Sequence, residues 1–222
     1  MNIFPPLLLA SNSPRRRQLL ALGGWTFDVQ ASNSDESQLP GEAPADYVRR
    51  LAEQKARAVA ERAHPEQLVV GSDTSVVIDG EILGKPVDAS DAHRMLRQLR
   101  GRTHQVYTGI TVLRPRDGKL LTDVCITNVP MRNYTDEEIA AYVASGDPLD
   151  KAGAYGIQSP HFQPVARMDG CYASVMGLPL CHLTVLLQQM QVAPLADVAG
   201  NCQATLAYQC PVFGSILAGV ND

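Results

Sequence analysis

Cysteine, lysine and aromatic residues are scarce in this sequence, and it contains no long apolar run. The five cysteines form an odd set without a C-x-x-C pair, which argues against a disulfide framework and a structural zinc site. No stretch approaches the roughly 18 apolar residues that a membrane-spanning helix needs. The short apolar run near the N-terminus also lacks the basic region of a secretory signal. We therefore expect a cytoplasmic protein without a membrane partner.

Basic residues are few as well: 19 lysines and arginines stand against 23 aspartates and glutamates, so the formal net charge is -4. A mildly acidic chain is a poor candidate for nucleic-acid binding. The 222 residues suffice for one sizeable core or two small lobes. With 45% apolar and 19% charged residues the composition is globular, which excludes disordered, collagen-like and coiled-coil classes.

Several standard enzyme motifs are also missing. The sequence has no G-x-x-x-x-G-K-[ST] phosphate loop, no G-x-G-x-x-G fingerprint and no H-E-x-x-H zinc helix. It has no G-x-S-x-G nucleophile elbow either. Any chemistry must therefore come from residues outside these motifs.

Short apolar runs alternate with helical periods, which predicts an α/β fold. A strand is expected at 3–10, shortened by two prolines to 7–10. Further strands are expected at 25–29, 68–78, 81–83, 106–113 and 120–129. Helices are expected to begin next to Pro14, Pro44, Asp91, Asp136 and Pro179. A hairpin is predicted around Asp169-Gly170, and the tail from 191 to 222 shows no clear period.

The first candidate site is the run Ser11-Asn12-Ser13-Pro14-Arg15-Arg16-Arg17, where a strand ends and a helix begins. Open α/β sheets bind ligands at this position. Free N–H groups at a helix N-terminus favour an anion, and arginine forks suit phosphate oxygens. The alternative is a capped surface helix with solvated arginines.

Asp73 is the second candidate, because it is the only charged residue in the strand-like run 68–78. A buried, unpaired carboxylate costs several kcal/mol, so it must meet a cation, a metal or a substrate. The alternative is a structural aspartate that caps a bulge. The sequence leaves both open.

Lysine usage gives the third indication, because the chain has fifteen arginines and only four lysines. Where arginine is the usual base, retained lysines are candidate point-charge ligands of phosphate, which singles out Lys55, Lys85 and Lys151. Lys55 lies on the apolar stripe of its helix, so a snorkelling side chain is the alternative there. Lys151 opens a segment with two glycines that ends at Gln158, which indicates backbone close to a ligand.

Together these segments resemble the Maf family of nucleoside triphosphate pyrophosphatases. The resemblance rests on seven segments in order: ASNSPRR, RLAEQKA, GSDTSVV, GKP, HQVYTGI, DKAGAYGIQ and VMGLPL. They cover residues 7 to 187, and DKAGAYGIQ resembles the branch that acts on dTTP and UTP. The resemblance implies the Maf/inosine triphosphatase-like fold, an elongated mixed sheet flanked by helices with a cleft between two lobes.

The resemblance also implies roles for individual residues. Asp73 is expected to be the catalytic base and, with Glu36, a ligand of Mg²⁺ or Mn²⁺. The expected substrate-binding residues are Ser11, Arg15, Lys55, Thr74, Lys85, Lys151 and Gln158. Residues 1–190 are expected to form one catalytic domain of two lobes, and 191–222 an extension of unknown role. The expected assembly is a homodimer.

Two alternatives stay open at this stage: a pyrophosphatase for modified purines such as 7-methyl-GTP, and a nucleotide-binding regulator of septum formation. The chain also departs from the family's pattern in two places. After Gln158 the usual glycine-rich stretch is replaced by Ser159-Pro160-His161-Phe162-Gln163-Pro164. The tail after Leu187 has no counterpart in the family.

Overall fold

A mixed β-sheet forms the centre of the computed structural model, which describes residues 7–219. In that range its strands are β1 (Leu7–Leu9), β2 (Phe27–Val29), β3 (Leu68–Ile78), β4 (Glu81–Leu83), β5 (Thr103–Arg114) and β6 (Lys119–Pro130). The order is β2-β1-β3-β5-β6, with β1 parallel to β2 and β3. The pairs β3–β5, β5–β6 and β3–β4 are antiparallel. The structure confirms the predicted α/β class and mixed sheet; the predicted strand residues 3–6 lie outside the described range.

Helices flank this sheet. They are α1 (Pro14–Ala21), α2 (Pro44–Ala60), α3 (Ala89–Leu99), α4 (Asp136–Ala144), α5 (Tyr172–Val175), α6 (Leu180–Gln189), α7 (Val198–Leu206) and α8 (Phe213–Leu217). Ser13 caps α1 as its sequence predicts, because its side chain accepts a hydrogen bond from the Arg16 amide. Thr135 and Glu138 form the predicted capping box of α4.

One edge of β3 is covered by strands only at its two ends. β1 pairs with residues 68–70 and β4 with residues 76–78, while β5 covers the opposite edge from Val69 to Val77. Among the described residues no strand pairs with residues 71–75 on the β1 side. Asp73 lies in the middle of this gap, so the sheet itself leaves space for a ligand there.

Two glycines let α2 lie directly on the sheet. A Cβ atom on Gly71 would collide with the carbonyl oxygen of Ala52, and one on Gly109 with that of Val48. Glycine is therefore required at both positions for the backbones to approach this closely. The close packing brings Lys55, on the buried face of α2, to the level of Asp73.

Two hydrophobic cores lie on either side of a cleft. The first packs α1 and α6 on the sheet and includes Leu9, Leu19 and Leu183. The second packs α3 and α4 around the far end of β3 and includes Leu96 and Ile139. The predicted cleft between two lobes is thereby confirmed. None of the helices in residues 7–219 is long and apolar enough to cross a membrane.

The predicted hairpin around Asp169-Gly170 is wrong. The chain bends there without strands, and the next residues form the short helix α5, capped by Cys171. An Asp-Gly pair occurs in many kinds of turn besides hairpins. The segment before it contains Pro164, which has no backbone N–H to donate to a strand ladder. Its carbonyl accepts a hydrogen bond from the Arg132 amide. The segment therefore joins the sheet only through an isolated bridge between Met131 and Val165.

The C-terminal extension, which showed no period in the sequence, contains α7 and α8 and packs on the first core. The indole Nε1 of Trp25 donates a hydrogen bond to the carbonyl of Ala193 at 3.1 Å. The Leu195 amide donates to the carbonyl of Gly23 at 3.0 Å, and Val198 is buried. Mixed small and polar residues in α7 hide its helical period, because only its first turn is buried.

Candidate active site

A cleft of about 1060 Å³ opens where the edge of β3 is uncovered. All nine site residues expected from the sequence line it: Ser11, Arg15, Glu36, Lys55, Asp73, Thr74, Lys85, Lys151 and Gln158. They come from the β1–α1 loop, α1, the β2–α2 loop, α2, β3, the β4–α3 loop and the segment after α4. The fold thus brings together residues that are up to 147 positions apart, from Ser11 to Gln158.

Asp73 meets a cation, as a buried carboxylate must. Lys55 Nζ lies 2.6 Å from Asp73 Oδ1 and 2.6 Å from Glu36 Oε1, so one ammonium bridges two carboxylates. Lys55 and Asp73 are both buried, at 7% and 6% exposure. Lys55 therefore does not snorkel to solvent, and Asp73 does not cap a bulge. The three side chains carry a net charge of -1, which leaves a negative centre at the uncovered strand edge.

Electrostatics keeps Glu36 ionised. Burial raises its pKa, but the hydrogen bond and charge of Lys55, with Lys85 and Arg16, together lower it below the ordinary value. The loop that carries Glu36 is held on α2, because the Tyr47 hydroxyl donates to the Glu36 carbonyl at 2.7 Å. Burial and the nearby Asp73 raise the pKa of Tyr47 to about 12, so the hydroxyl keeps its proton at neutral pH.

Arg16, rather than Arg15, makes the specific contacts at the start of α1. Its Nε donates to the Gly177 carbonyl at 2.9 Å, Nη1 to Ser11 Oγ at 3.3 Å and Nη2 to Thr74 Oγ1 at 3.2 Å. Burial lowers the pKa of Arg16, although the charge of Asp73 opposes this. A guanidinium stays protonated in proteins, so Arg16 is a fixed cation in the cleft.

Thr74 extends this network across the sheet. Its hydroxyl lies 3.0 Å from that of Thr108, which donates to the Ser174 carbonyl at 2.8 Å. Gly177 accepts a second hydrogen bond from Ser72 Oγ at 2.8 Å, and its φ of 108° is one that other residues rarely adopt. The segment from α5 to Gly177 is therefore fixed on β3 and holds Arg16 in place.

The other cations of the cleft lie farther from Asp73. Arg15 is half-buried and lines the cleft, and Lys85 is exposed at its rim. Lys151 is already paired: its Nζ lies 2.9 Å from Asp147 Oδ1 and 2.6 Å from Asp150 Oδ1. Arg15 and Lys85 are therefore the more available charges for a ligand that enters from solvent.

The segment that departs from the family's pattern forms a wall of the cleft. Phe162 is buried and stacks on Tyr142, with ring centroids 4.2 Å apart. The Tyr142 hydroxyl donates to Asp147 Oδ2 at 2.7 Å and accepts from the Gly156 amide at 3.0 Å. Gln158 is exposed to the cleft two residues further on. An aromatic stack thus supports the loop that carries Gln158.

Sequence reasoning placed Arg16 in the first candidate run but chose Arg15 as the substrate-binding residue, although the helical period contained the signal for Arg16. Arg16 lies three and four positions before Leu19 and Leu20, which are both buried. Residues at these spacings share a helix face, so Arg16 points inward with them. Tyr142 and Phe162 were missed because their contact joins segments twenty residues apart and has no local period.

Fold and site together define an α/β protein whose cleft is lined by arginine, lysine and carboxylate side chains around the buried Asp73. A family model described as "Maf-like protein" matches residues 6–190. The chain therefore belongs to the Maf-like protein family, and its C-terminal extension lies outside the matched region.

Two relatives support this membership, and both are named dTTP/UTP pyrophosphatase. The protein from Geobacter sulfurreducens is 52% identical over 185 residues, which cover 83% of this chain and 96% of that protein. The protein from Hahella chejuensis is 46% identical over 193 residues, covering 86% and 95% respectively. Among solved structures, the Staphylococcus aureus Ham1 protein is 14% identical with a TM-score of 0.46, and the match covers 73% of this chain and 81% of that one.

Proposed function

We propose that the protein hydrolyses dTTP and UTP to the nucleoside monophosphate and pyrophosphate. The observation that carries this proposal is the buried Asp73, at 6% exposure, in a cleft with arginine and lysine side chains on its walls. The relatives that share about half of its sequence carry the name of this activity. A protein that only binds nucleotide gains nothing from a carboxylate beside phosphates unless a metal intervenes, so Asp73 favours an enzyme over a regulator that only binds.

The cations of the cleft would hold the triphosphate, because phosphoryl transfer depends on positioning and charge neutralisation. Arg15 and Arg16 lie at the N-terminus of α1, where backbone N–H groups also favour an anion. Lys85 and Lys151 approach from the other lobe. In this arrangement Ser11 and Thr74 orient the Arg16 fork.

Asp73 would accept the proton of the attacking water as general base. Lys55 keeps the Asp73 carboxylate fixed through Oδ1, at 2.6 Å, which leaves Oδ2 available for the water. Glu36 shares the same ammonium and balances its charge. The Asp73 carboxylate is thus oriented before the substrate arrives.

A divalent cation fits this donor set. Lys55 holds Asp73 Oδ1 and Glu36 Oε1, so a divalent cation would use the other oxygen of each carboxylate. Mg²⁺ is commonly held by one or two carboxylates together with substrate phosphates and water. In residues 7–219 no group of three or more His, Cys, Asp or Glu side chains could hold a metal alone, so phosphate oxygens would complete the ligand set. When bound, Mg²⁺ or Mn²⁺ neutralises charge on the phosphates.

Gln158 would select the base. An amide offers a donor and an acceptor, which match the N–H and carbonyls of a uracil or thymine edge. A site that hydrogen-bonds such an edge rejects bases that leave its polar groups unpaired.

The test is a panel of canonical and modified triphosphates with Mg²⁺ or Mn²⁺, with pyrophosphate release as the readout. We expect UTP and dTTP to exceed CTP and the purines in kcat/KM. Gln158→Ala should reduce this preference by about tenfold, the effect of losing one discriminating hydrogen bond. The kcat/KM for UTP itself should fall by less than tenfold. Gln163→Ala, which changes an exposed glutamine of the same segment, is the matched control. A profile led by 7-methyl-GTP would contradict the base assignment and support the purine alternative.

A second prediction concerns Arg16. Arg16→Lys keeps the charge but loses the fork that joins Gly177, Ser11 and Thr74, so kcat/KM for UTP should fall by about tenfold. Arg17→Lys, at the exposed next position of α1, should leave it unchanged. Equal effects of the two substitutions would show that the fork has no role in catalysis.

The remaining expectations from the resemblance stand as proposals. We propose that residues 1–190 form the catalytic domain of two lobes, with 191–222 as an extension, and that the protein acts as a cytoplasmic homodimer without nucleic-acid or membrane partners. The end of the family match at residue 190 supports the domain boundary. The five free cysteines agree with a reducing compartment.

A further inference from the structure

Two tyrosine hydroxyls, one from each core, hold the backbone just before Gln158. Tyr142, which belongs to the second core, accepts a hydrogen bond from the Gly156 amide at 3.0 Å. Tyr172, which packs against the first core, donates one to the Ile157 carbonyl at 3.3 Å. That carbonyl belongs to the planar peptide unit that ends at the Gln158 nitrogen. The Tyr172 hydroxyl therefore fixes the direction in which the backbone enters Gln158.

Ile157 itself lies where the two cores meet, because its half-buried side chain packs against both of them. Gln158, the next residue, is exposed and lines the cleft. The position of its amide in the cleft is therefore set by the backbone that precedes it. Whatever holds Ile157 also places the amide of Gln158.

The C-terminal extension holds Tyr172 in turn. The rings of Tyr172 and Tyr208 have centroids 5.5 Å apart and planes inclined at 41°, a distance and tilt at which aromatic pairs attract each other. The Tyr208 hydroxyl also donates to the Gly170 carbonyl at 2.9 Å, two residues before Tyr172. Tyr208 thus contacts both the first residue of α5 and the chain that leads into this helix.

Little free space surrounds the two rings. The cavity beside them, which Leu206 and Cys202 also line, has a volume of about 20 Å³. This volume holds about one water molecule. A close-packed interior transmits the displacement of one side chain to its neighbours. A shift of Tyr208 should therefore move Tyr172.

The end of α7 fixes the position of Tyr208. Ala207 has a φ of 48°, in the left-handed region that residues other than glycine rarely adopt. The chain reverses there, so that the Tyr208 amide donates to the Gln203 carbonyl at 3.1 Å. The Cys210 amide donates to Gln203 Oε1, also at 3.1 Å. Gln203 thus holds the backbone at Tyr208 and two residues beyond it.

We infer that the C-terminal extension places Gln158 for selection of the base, with Tyr208 and Tyr172 as positioning residues. The contacts lead from the Tyr208 ring to Tyr172, and from the Tyr172 hydroxyl to the Ile157 carbonyl. Tyr208 lies beyond residue 190, where the family match ends, so this support is not part of the matched region. The role in base selection rests on the proposed function, whereas the support of the loop does not.

The experiment uses point variants of the full chain. Tyr172→Phe removes the hydroxyl that holds the Ile157 carbonyl and keeps the ring. Tyr208→Leu removes both the ring contact and the hydrogen bond to Gly170. Tyr208→Phe removes the hydrogen bond alone, so it should give a smaller effect than Tyr208→Leu.

Asn201→Ala is the matched control. It removes another hydrogen bond of the extension, from Asn201 Nδ2 to the Leu22 carbonyl at 3.0 Å, which lies at the end of α1 rather than at α5. A general loosening of the extension would appear in this variant as well. Unfolding midpoints of all variants establish that each one is folded under the conditions of the assay.

Hydrogen–deuterium exchange reports on the loop without reference to catalysis. The Gly156 amide donates to Tyr142 and the Ser159 amide to the Gly156 carbonyl, so both exchange slowly while the loop is held. We expect their exchange to become about fivefold faster in Tyr172→Phe, the effect of losing one hydrogen bond. Tyr208→Leu should have a similar effect, and Asn201→Ala should have none.

Base preference is the second measurement. The ratio of kcat/KM for UTP to that for CTP should fall by about fivefold in Tyr172→Phe and Tyr208→Leu, since misplacement of a group weakens its contacts. The loss is smaller than for Gln158→Ala, because the amide is still present. It should appear as a higher KM for UTP at unchanged kcat, since the base is bound equally in the ground state and the transition state. Asn201→Ala should keep the wild-type ratio.

Unchanged exchange in Tyr172→Phe and Tyr208→Leu overturns the inference, and so does an equal rise of exchange in Asn201→Ala. Faster exchange with an unchanged UTP/CTP ratio overturns the role in base selection. A wild-type enzyme without preference for UTP contradicts the proposed function instead, and the exchange measurement then still decides whether the extension supports the loop.

Discussion

Replacement of Asp73 by asparagine is expected to lower kcat for UTP by about a thousandfold, within the ~10²–10⁴ that a general base contributes. The amide keeps the shape of the carboxylate but can neither accept a proton at neutral pH nor carry charge. Binding of the triphosphate should be unchanged or slightly tighter, because one negative charge leaves the cleft. The measurement is single-turnover pyrophosphate release, with nucleotide affinity determined separately by titration.

Folding should survive this substitution, since Lys55 keeps its contact with Glu36 at 2.6 Å. Asp79→Asn is the matched control: Asp79 is exposed in the turn after β3 and pairs with Arg102, away from the cleft. If Asp73→Asn kept more than about a tenth of the wild-type kcat, a barrier change below about 1.4 kcal/mol, Asp73 would not be the base.

The second large effect is expected for Lys55→Met, which keeps the length of the side chain and removes its charge. Asp73 and Glu36 then face each other without a cation. Removing one partner of a buried ion pair costs about 3 kcal/mol of folding stability. We expect kcat/KM for UTP to fall by about a hundredfold, because the base loses the contact that fixes it.

The pH profile distinguishes this loss from simple unfolding. Lys55 lowers the pKa of Glu36 against the effect of burial, so without Lys55 the pKa rises and Glu36 takes up a proton at higher pH. The acidic limb of the kcat/KM profile should therefore move to higher pH. Lys119→Met, on an exposed lysine of β6, should leave stability and profile unchanged. If the folding stability of Lys55→Met fell while its pH profile of kcat/KM stayed unshifted, Lys55 would have only a packing role.

Periodicity predicted most of the fold, because the apolar stripes of the helices and the β-prone runs are local. The bounds of β3 and β4 agree with the sequence to the residue, since Leu68–Ile78 is continuously β-prone and Asp79-Gly80 ends it. The extension gave no such pattern. The segment before α7 is held by hydrogen bonds to Gly23 and Trp25, which lie about 170 positions earlier in the chain.

The sequence predicted which residues form the candidate site, but not which of them contact one another. Charge isolated within an apolar run identified Asp73, and the scarcity of lysine identified Lys55; the structure shows the two bound to each other. That contact depends on Gly71 and Gly109, because a side chain at either position would collide with the backbone of α2. What stacks beneath the loop of Gln158 is decided by tertiary packing across segments that no local pattern connects.

The uncovered edge of β3 also bears on how the protein avoids aggregation through strand pairing. The backbone groups that residues 71–75 direct to this side have no strand partner within residues 7–219 and could pair with a strand of another molecule. The edge is short, and a buried charge lies at its centre, which a docking strand would have to desolvate further. The Asp73 carboxylate, which is proposed as the catalytic base, thus also disfavours strand pairing at the uncovered edge. An apolar β-branched residue at position 73 would abolish hydrolysis and, at the same time, turn the cleft into a template for aggregation.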